Sequence, residues 1–286
     1  MEIAAVLMKM SLAERHRKDF AKMKFYNFGA PQNPVLLLLP GTCCHWNANF
    51  GQVIPLLQPY FHVACVSYDG FDETENTVFS TMLAETKKIE TYIQERFGGH
   101  IYGAYGCSLG GSFVGLMIQR GKIRIDHGIM GSSDLDQTSV LTAKLQAGIA
   151  VPVIHKMLRT GTLPVWMKKR LDKKTPEDRS YMEKMLTLFG IGSTRMAFVK
   201  KESVYNQFYS DLVTPLEEHI SVPGTTVHCF YAVKMGEKYE ARYRQHFTCP
   251  DIRRHDLQHE ELLLRYPEQW ADEIMECMEI ARPNDR

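Results

Sequence analysis

Apolar residues in this chain gather in short continuous runs separated by helix-spaced stretches. Val35–Leu39, after Pro34, is the clearest run, and Phe61-His62-Val63-Ala64-Cys65-Val66-Ser67-Tyr68 and the segment from Ile101 to Cys107 repeat the pattern. Each is bounded by Gly, Pro or Asp, as expected of strands covered on both faces. Lys24–Phe28, closed by Gly29, reads as a further short strand. Helical spacing fills the gaps at Phe50 to Tyr60 and at Glu75 to Phe97, where Met82, Ile89, Tyr92 and Ile93 share a face and Gly98-Gly99 marks the end. Strand and helix in alternation predict a mostly parallel sheet with helices on both faces.

Later segments continue the pattern with one interruption. Ile125 to Asp134, Thr225 to Val233 and Ile252 to Leu257 read as strands with their exit loops, and Pro267 to Ala281 as a closing helix with Trp270, Ile274, Met278 and Ala281 on one face. From about 137 to 220 the pattern is helical throughout, broken at Pro152, Gly161, Pro164, Pro176, Gly190, Gly192 and Pro215. Residues up to about Phe20 have helical spacing and fit either a leading helix or a mobile arm.

The chemistry concentrates at Gly106-Cys107-Ser108-Leu109-Gly110, where a strand reverses into a glycine-laced helix. Glycines on either side of Ser108 remove the Cβ atoms that would collide in so sharp a turn, leaving the hydroxyl exposed beside a helix N-terminus. A second turn, Pro40-Gly41-Thr42, follows the Val35–Leu39 run and aims backbone amides at the same end of the sheet.

Composition narrows the setting. A net charge of +1 over 286 residues gives no global argument for nucleic acid or an anionic membrane. No apolar segment approaches a membrane span, and the first residues lack the positive region of a signal peptide, so a cytoplasmic location is expected. Seven cysteines, none in Cys-x-x-Cys spacing, read as free thiols. His255 and His259 are four apart, but the segment between them reads as strand and loop and lacks the Glu of His-Glu-x-x-His, so no metal is expected. Lys168, Lys169, Arg170, Lys173 and Lys174 suit an anionic surface or, as the preferred reading, a solvated helix face.

With Pro40-Gly41-Thr42, Asp69-Gly70 and Gly106-Cys107-Ser108-Leu109-Gly110 in this order and spacing, the chain resembles the α/β-hydrolase fold superfamily. The resemblance implies a doubly wound α/β core over 1–136 and 221–286, with a helical lid, 137–220, inserted after the sixth strand of the family count. It also implies Ser108 as nucleophile, His259 as its base, and the Thr42 and Leu109 amides as an oxyanion hole. The acid departs from the family pattern, because Tyr239 occupies its usual place three residues after Gly236. Glu240, one residue on, and Asp134, after the sixth strand, are the level candidates; Glu237 ranks below them. The implied activity is cofactor-free cleavage of an ester or related acyl bond in a small-molecule substrate. A carbon–carbon bond hydrolase and a non-catalytic ligand-binding protein are the alternatives.

Overall fold

A computed structural model describes residues 23–193 and 195–281. The helix or arm expected before Phe20 lies outside them. Seven strands form one sheet: β1 (Lys24–Phe28), β2 (Val35–Leu39), β3 (His62–Ser67), β4 (His100–Cys107), β5 (Arg124–Gly131), β6 (Thr226–Ala232) and β7 (Asp251–His255). Their order is β1-β3-β2-β4-β5-β6-β7, and all neighbours are parallel except β1, which pairs antiparallel with β3 at the edge. The strands read as sixth, seventh and eighth in the family count are therefore β5, β6 and β7.

The β2 run shows why the sheet is buried on both faces. Leu37 and Leu39 enter one core, with Phe113, Val114 and Met117 of α4 (Leu109–Arg120) and Ile89 and Ile93 of α3 (Met82–Phe97). Leu36 and Leu38 enter the other, with Phe50 of α1 (Trp46–Phe50), Leu57 of α2 (Ile54–Leu57), and Trp270 and Ile274 of the last helix. Alternate side chains of a strand point to opposite faces, so an unbroken leucine run needs a helix layer on each side.

Three helical segments differ from their sequence reading. The segment expected to be helical from Glu75 starts only at Met82, because Thr81 caps the Ala84 N–H and the preceding loop is held by the Thr77 hydroxyl on the Gly70 N–H and by Asp72 on the Thr74 N–H. The span from Phe50 to Tyr60 is two short pieces, α1 and α2, the second opened by a proline in its first turn. The closing helix, Pro267–Cys277, stops short of Ala281.

Between β5 and β6 lie four helices: α5 (Val140–Thr160), α6 (Val165–Leu171), α7 (Pro176–Leu188) and α8 (Lys201–Val213). Ala143, Ala147, Val151 and Leu158 put one face of α5 inward, and α5 packs on α8. After β6 come α9 (Glu237–His246), β7, α10 (Glu261–Arg265) and α11 (Pro267–Cys277). All seven cysteines are free, six of them buried and Cys249 exposed. Among the described residues no helix is long and apolar enough to cross a membrane.

Candidate active site

Ser108 stands between the end of β4 and the start of α4 with φ 50° and ψ −112°, in a region that non-glycine residues rarely occupy. The turn is possible only because its flanks are bare. A Cβ on Gly106 would lie 2.0 Å from the Gly110 carbonyl carbon, and one on Gly110 would lie 2.2 Å from the Leu39 carbonyl oxygen. The strained serine is locked by four contacts: its N–H donates to the Gly131 carbonyl at 2.8 Å and to Glu260 Oε1 at 3.0 Å, and its carbonyl accepts from the Ser133 hydroxyl at 2.6 Å and the Gly111 N–H at 2.9 Å.

The loop after β2 is held against this turn. Gly41 comes so close that a Cβ there would sit 3.6 Å from the Ser108 Cβ. Its N–H donates to Asn49 Oδ1 at 3.0 Å, the Cys43 N–H to Gln207 Oε1 at 2.7 Å, and the Cys44 N–H to the Gly41 carbonyl at 3.2 Å. Among the described residues the Thr42 N–H has no such acceptor, and neither has the Leu109 N–H in the first turn of α4. Donors left unused beside a cavity are available to a ligand oxygen. The sequence reading missed Asn49 and Gln207; a buried amide in each helix is their only signal, and nothing marks its partner.

His259, in the loop after β7, faces the same cavity as Ser108 and Thr42. Burial depresses its imidazole to about pKa 4, and the partner found for the ring is the Ser132 backbone carbonyl, which works weakly in the other direction. The loop is tied down from the four-helix segment, with Tyr181 donating to the His259 carbonyl at 2.7 Å and Gln258 Nε2 to Asp178 Oδ1 at 2.8 Å. Among the described residues no hydrogen bond joins Ser108 Oγ to His259, and no carboxylate pairs with the imidazole.

None of the expected acids is among the residues lining this cavity. Glu240, on α9, is gripped by Arg254 at 2.6 Å and Arg244 at 2.8 Å, and these bonds lower its pKa. Asp134 is raised, first by burial and then by the charge of Asp136, against the opposing charge of Arg242. Glu237 is exposed in the first turn of α9. The sequence expectation that Glu240 or Asp134 orients His259 is therefore not met by this geometry: one carboxylate is neutralised by two arginines, the other turned into an acidic cluster with Asp136 and Asp211. His255 likewise lies in β7, 3.1 Å from Glu273 rather than in the cavity.

Glu260 was not anticipated. It is 3% exposed, adopts a left-handed φ of 58°, and takes the Ser108 N–H on one oxygen while the Tyr105 hydroxyl reaches the other at 3.4 Å. Burial raises its carboxyl to about pKa 8, so at neutral pH it is an uncharged acid beside Ser108.

The cavity that unites these groups has a volume of about 690 Å³. Ser108, Thr42, His259 and Glu260 form its floor, and Ile149, Met157, Trp166, Met182, Met185 and Phe189 of the four-helix segment form much of its wall.

No protein-family model and no curated protein matches the sequence. Solved structures do match in three dimensions. An alpha/beta hydrolase family protein from Desulfitobacterium hafniense is similar over 88% of this chain and 99% of its own, with TM-score 0.70 and 16% identity. A thermophilic esterase from Thermogutta terrifontis is similar over 90% and 93%, with TM-score 0.66 and 19% identity. An enol-lactonase from Burkholderia xenovorans LB400 is similar over 90% and 96%, with TM-score 0.60 and 13% identity. The chain has the α/β-hydrolase fold, as its mostly parallel seven-stranded sheet and these likenesses agree.

Proposed function

We propose that this chain is a serine hydrolase of carboxylic esters with an apolar acyl group. The observation that carries the reading is the strained Ser108, placed in one cavity with a neutral imidazole and with two unused backbone N–H groups beside it. In the proposed reaction the Ser108 hydroxyl attacks the ester carbonyl as His259 takes its proton. The oxyanion is held by the Thr42 and Leu109 amides, the alcohol leaves with the proton from His259, and water releases the acyl group by the same steps. With no carboxylate on the imidazole, the Ser132 carbonyl is left to orient the ring. A backbone dipole stabilises the imidazolium less than an ion pair does, which points to modest turnover.

The four-helix segment acts in this reading as the lid, since its side chains wall the cavity over Ser108. Neither Glu260, neutral at physiological pH, nor any lysine or arginine brings a charge to that wall, so the acyl pocket suits hydrocarbon. In a series of p-nitrophenyl esters from acetyl to octanoyl, kcat/KM is expected to rise roughly fourfold per added methylene, the equivalent of about 0.8 kcal/mol of transfer energy, until the cavity fills. A flat or falling series would contradict an apolar acyl pocket.

An imidazole held by a backbone carbonyl rather than a carboxylate also favours a second reading, in which the same cavity binds an apolar ligand without cleaving it. The two differ over the acid. Because Glu240 and Asp134 lie away from His259, Glu240→Gln and Asp134→Asn are expected to keep turnover within about threefold of the parent, with any change in Glu240→Gln confined to stability through its two arginines. A drop of several orders of magnitude in either variant, measured with an octanoyl ester, would restore that carboxylate to a triad.

A further inference from the structure

Five of the most exposed large apolar side chains lie together on α5 and α6. Leu141 is 80% exposed, Leu145 66%, Ile149 67%, Val165 71% and Trp166 54%. Leu141, Leu145 and Ile149 are spaced by four residues, so they form one stripe along α5, opposite the face carrying Ala143, Ala147 and Val151 that packs inward. A helix already buried on one side has no internal use for a second apolar stripe. The stripe also leads to the cavity: Ile149 and Trp166 are exposed and at the same time line the space above Ser108.

Charge is segregated onto the same helices. Between residues 140 and 174 there are eight lysines and arginines and the single acid Asp172, a balance of +7 in a chain whose net charge is +1. Lys156 and Arg159 continue the α5 stripe at helical spacing, and Arg170 lies over the Trp166 ring at 5.6 Å. Among the described residues none of these eight cations makes an ion pair. A solvated helix face explains exposed lysines but not exposed leucines and a tryptophan set among them. An apolar stripe bordered by unpaired cations is the composition of a helix that lies in a lipid–water interface, its hydrocarbon in the acyl boundary and its cations at the headgroups.

From this combination we propose that the α5–α6 face docks on the surface of an anionic phospholipid membrane, with the mouth of the Ser108 cavity turned toward the lipid. The docking itself does not depend on catalysis. Only the corollary, that an acyl chain enters the cavity from the bilayer between Ile149 and Trp166, rests on the hydrolase reading.

The test is co-sedimentation of the full chain with phosphatidylcholine vesicles and with vesicles also containing phosphatidylglycerol, read beside tryptophan quenching by brominated acyl chains. Binding is expected to the anionic vesicles, to weaken as salt is raised, and to bring quenching that is lost in Trp166→Phe. Replacing Lys168, Lys169 and Lys173 together by alanine is expected to lower partitioning by on the order of 100-fold. The pair Leu141→Ser and Leu145→Ser is expected to lower it at least ~10-fold. Both sets keep their hydrolysis of a soluble short-chain ester, because none of these residues lines the cavity; that activity also reports intact folding. Equal binding to neutral vesicles, binding indifferent to these substitutions, or no quenching would overturn the proposal. So would a dimer that dissolves in the leucine variant while the parent ignores vesicles, since the stripe would then belong to a second copy of the chain. Vesicle binding by a chain that hydrolyses no ester would leave the docking intact and remove the hydrolase reading instead.

Discussion

Turnover of an octanoyl ester is expected to fall by on the order of 10³-fold or more in Ser108→Ala, with the midpoint of urea unfolding unchanged or raised. The rate loss follows from removing the only hydroxyl at the strained turn. The stability expectation follows from the backbone: Ser108 is held at φ 50° by bonds from its own N–H and carbonyl, which alanine also makes. His259→Ala is expected to lose a comparable factor, because a hydroxyl with no base nearby is a poor nucleophile at neutral pH. A Ser108→Ala variant with near-parent turnover would mean that the ester is cleaved elsewhere.

The pH dependence should be dominated by His259 and Glu260. His259 must be neutral to accept a proton, and with its imidazole depressed to about 4 it stays competent down to mildly acidic pH. Glu260 is neutral until its carboxyl, raised to about 8, ionises; its negative charge would then stand in the cavity beside Ser108 and oppose the oxyanion that the Thr42 and Leu109 amides hold in the proposed reaction. A plateau bounded by limbs near pH 4 and pH 8 is expected for kcat/KM, falling tenfold per unit above the upper limb. Glu260→Gln is expected to remove the alkaline limb and leave the acid one.

Stability carries the same two signatures. The folded-state pKa of Glu260 lies above its unfolded value, so its contribution is present below the ordinary carboxylate range and is lost as pH rises toward 8. His259 is depressed, so its contribution is present above the ordinary imidazole range and is lost as pH falls toward 4. Glu260→Gln should therefore be more stable than the parent at neutral and alkaline pH in urea titrations. An alkaline limb that persists in the glutamine variant would assign that limb to another group.

Much of the fold was legible because it is written in short-range patterns. The β2 leucines need cover on both faces, Gly106 and Gly110 leave room for backbone only, and Gly98, at φ 64°, ends α3 where the sequence marked a stop. The turns at Gly41 and Ser108 were legible for the same reason. What escaped depends on partners distant in sequence. Gln207 reaches Cys43 across 164 positions and Glu260 reaches Ser108 across 152, and neither residue carries a local mark of its role. The acid was left open in the sequence because spacing after Gly236 says only where a carboxylate stands along the chain. It does not say that Arg244 and Arg254 will claim it.

The central claim, that Ser108 is an activated nucleophile, is tested most directly by incubating the intact chain with a fluorophosphonate and mapping the adduct by peptide mass spectrometry. One equivalent of label on Ser108, slowed in His259→Ala and absent in Ser108→Ala, is the result expected. A folded chain that takes up no label, or carries it on another serine, would contradict the claim and leave the cavity as a binding site for an apolar ligand.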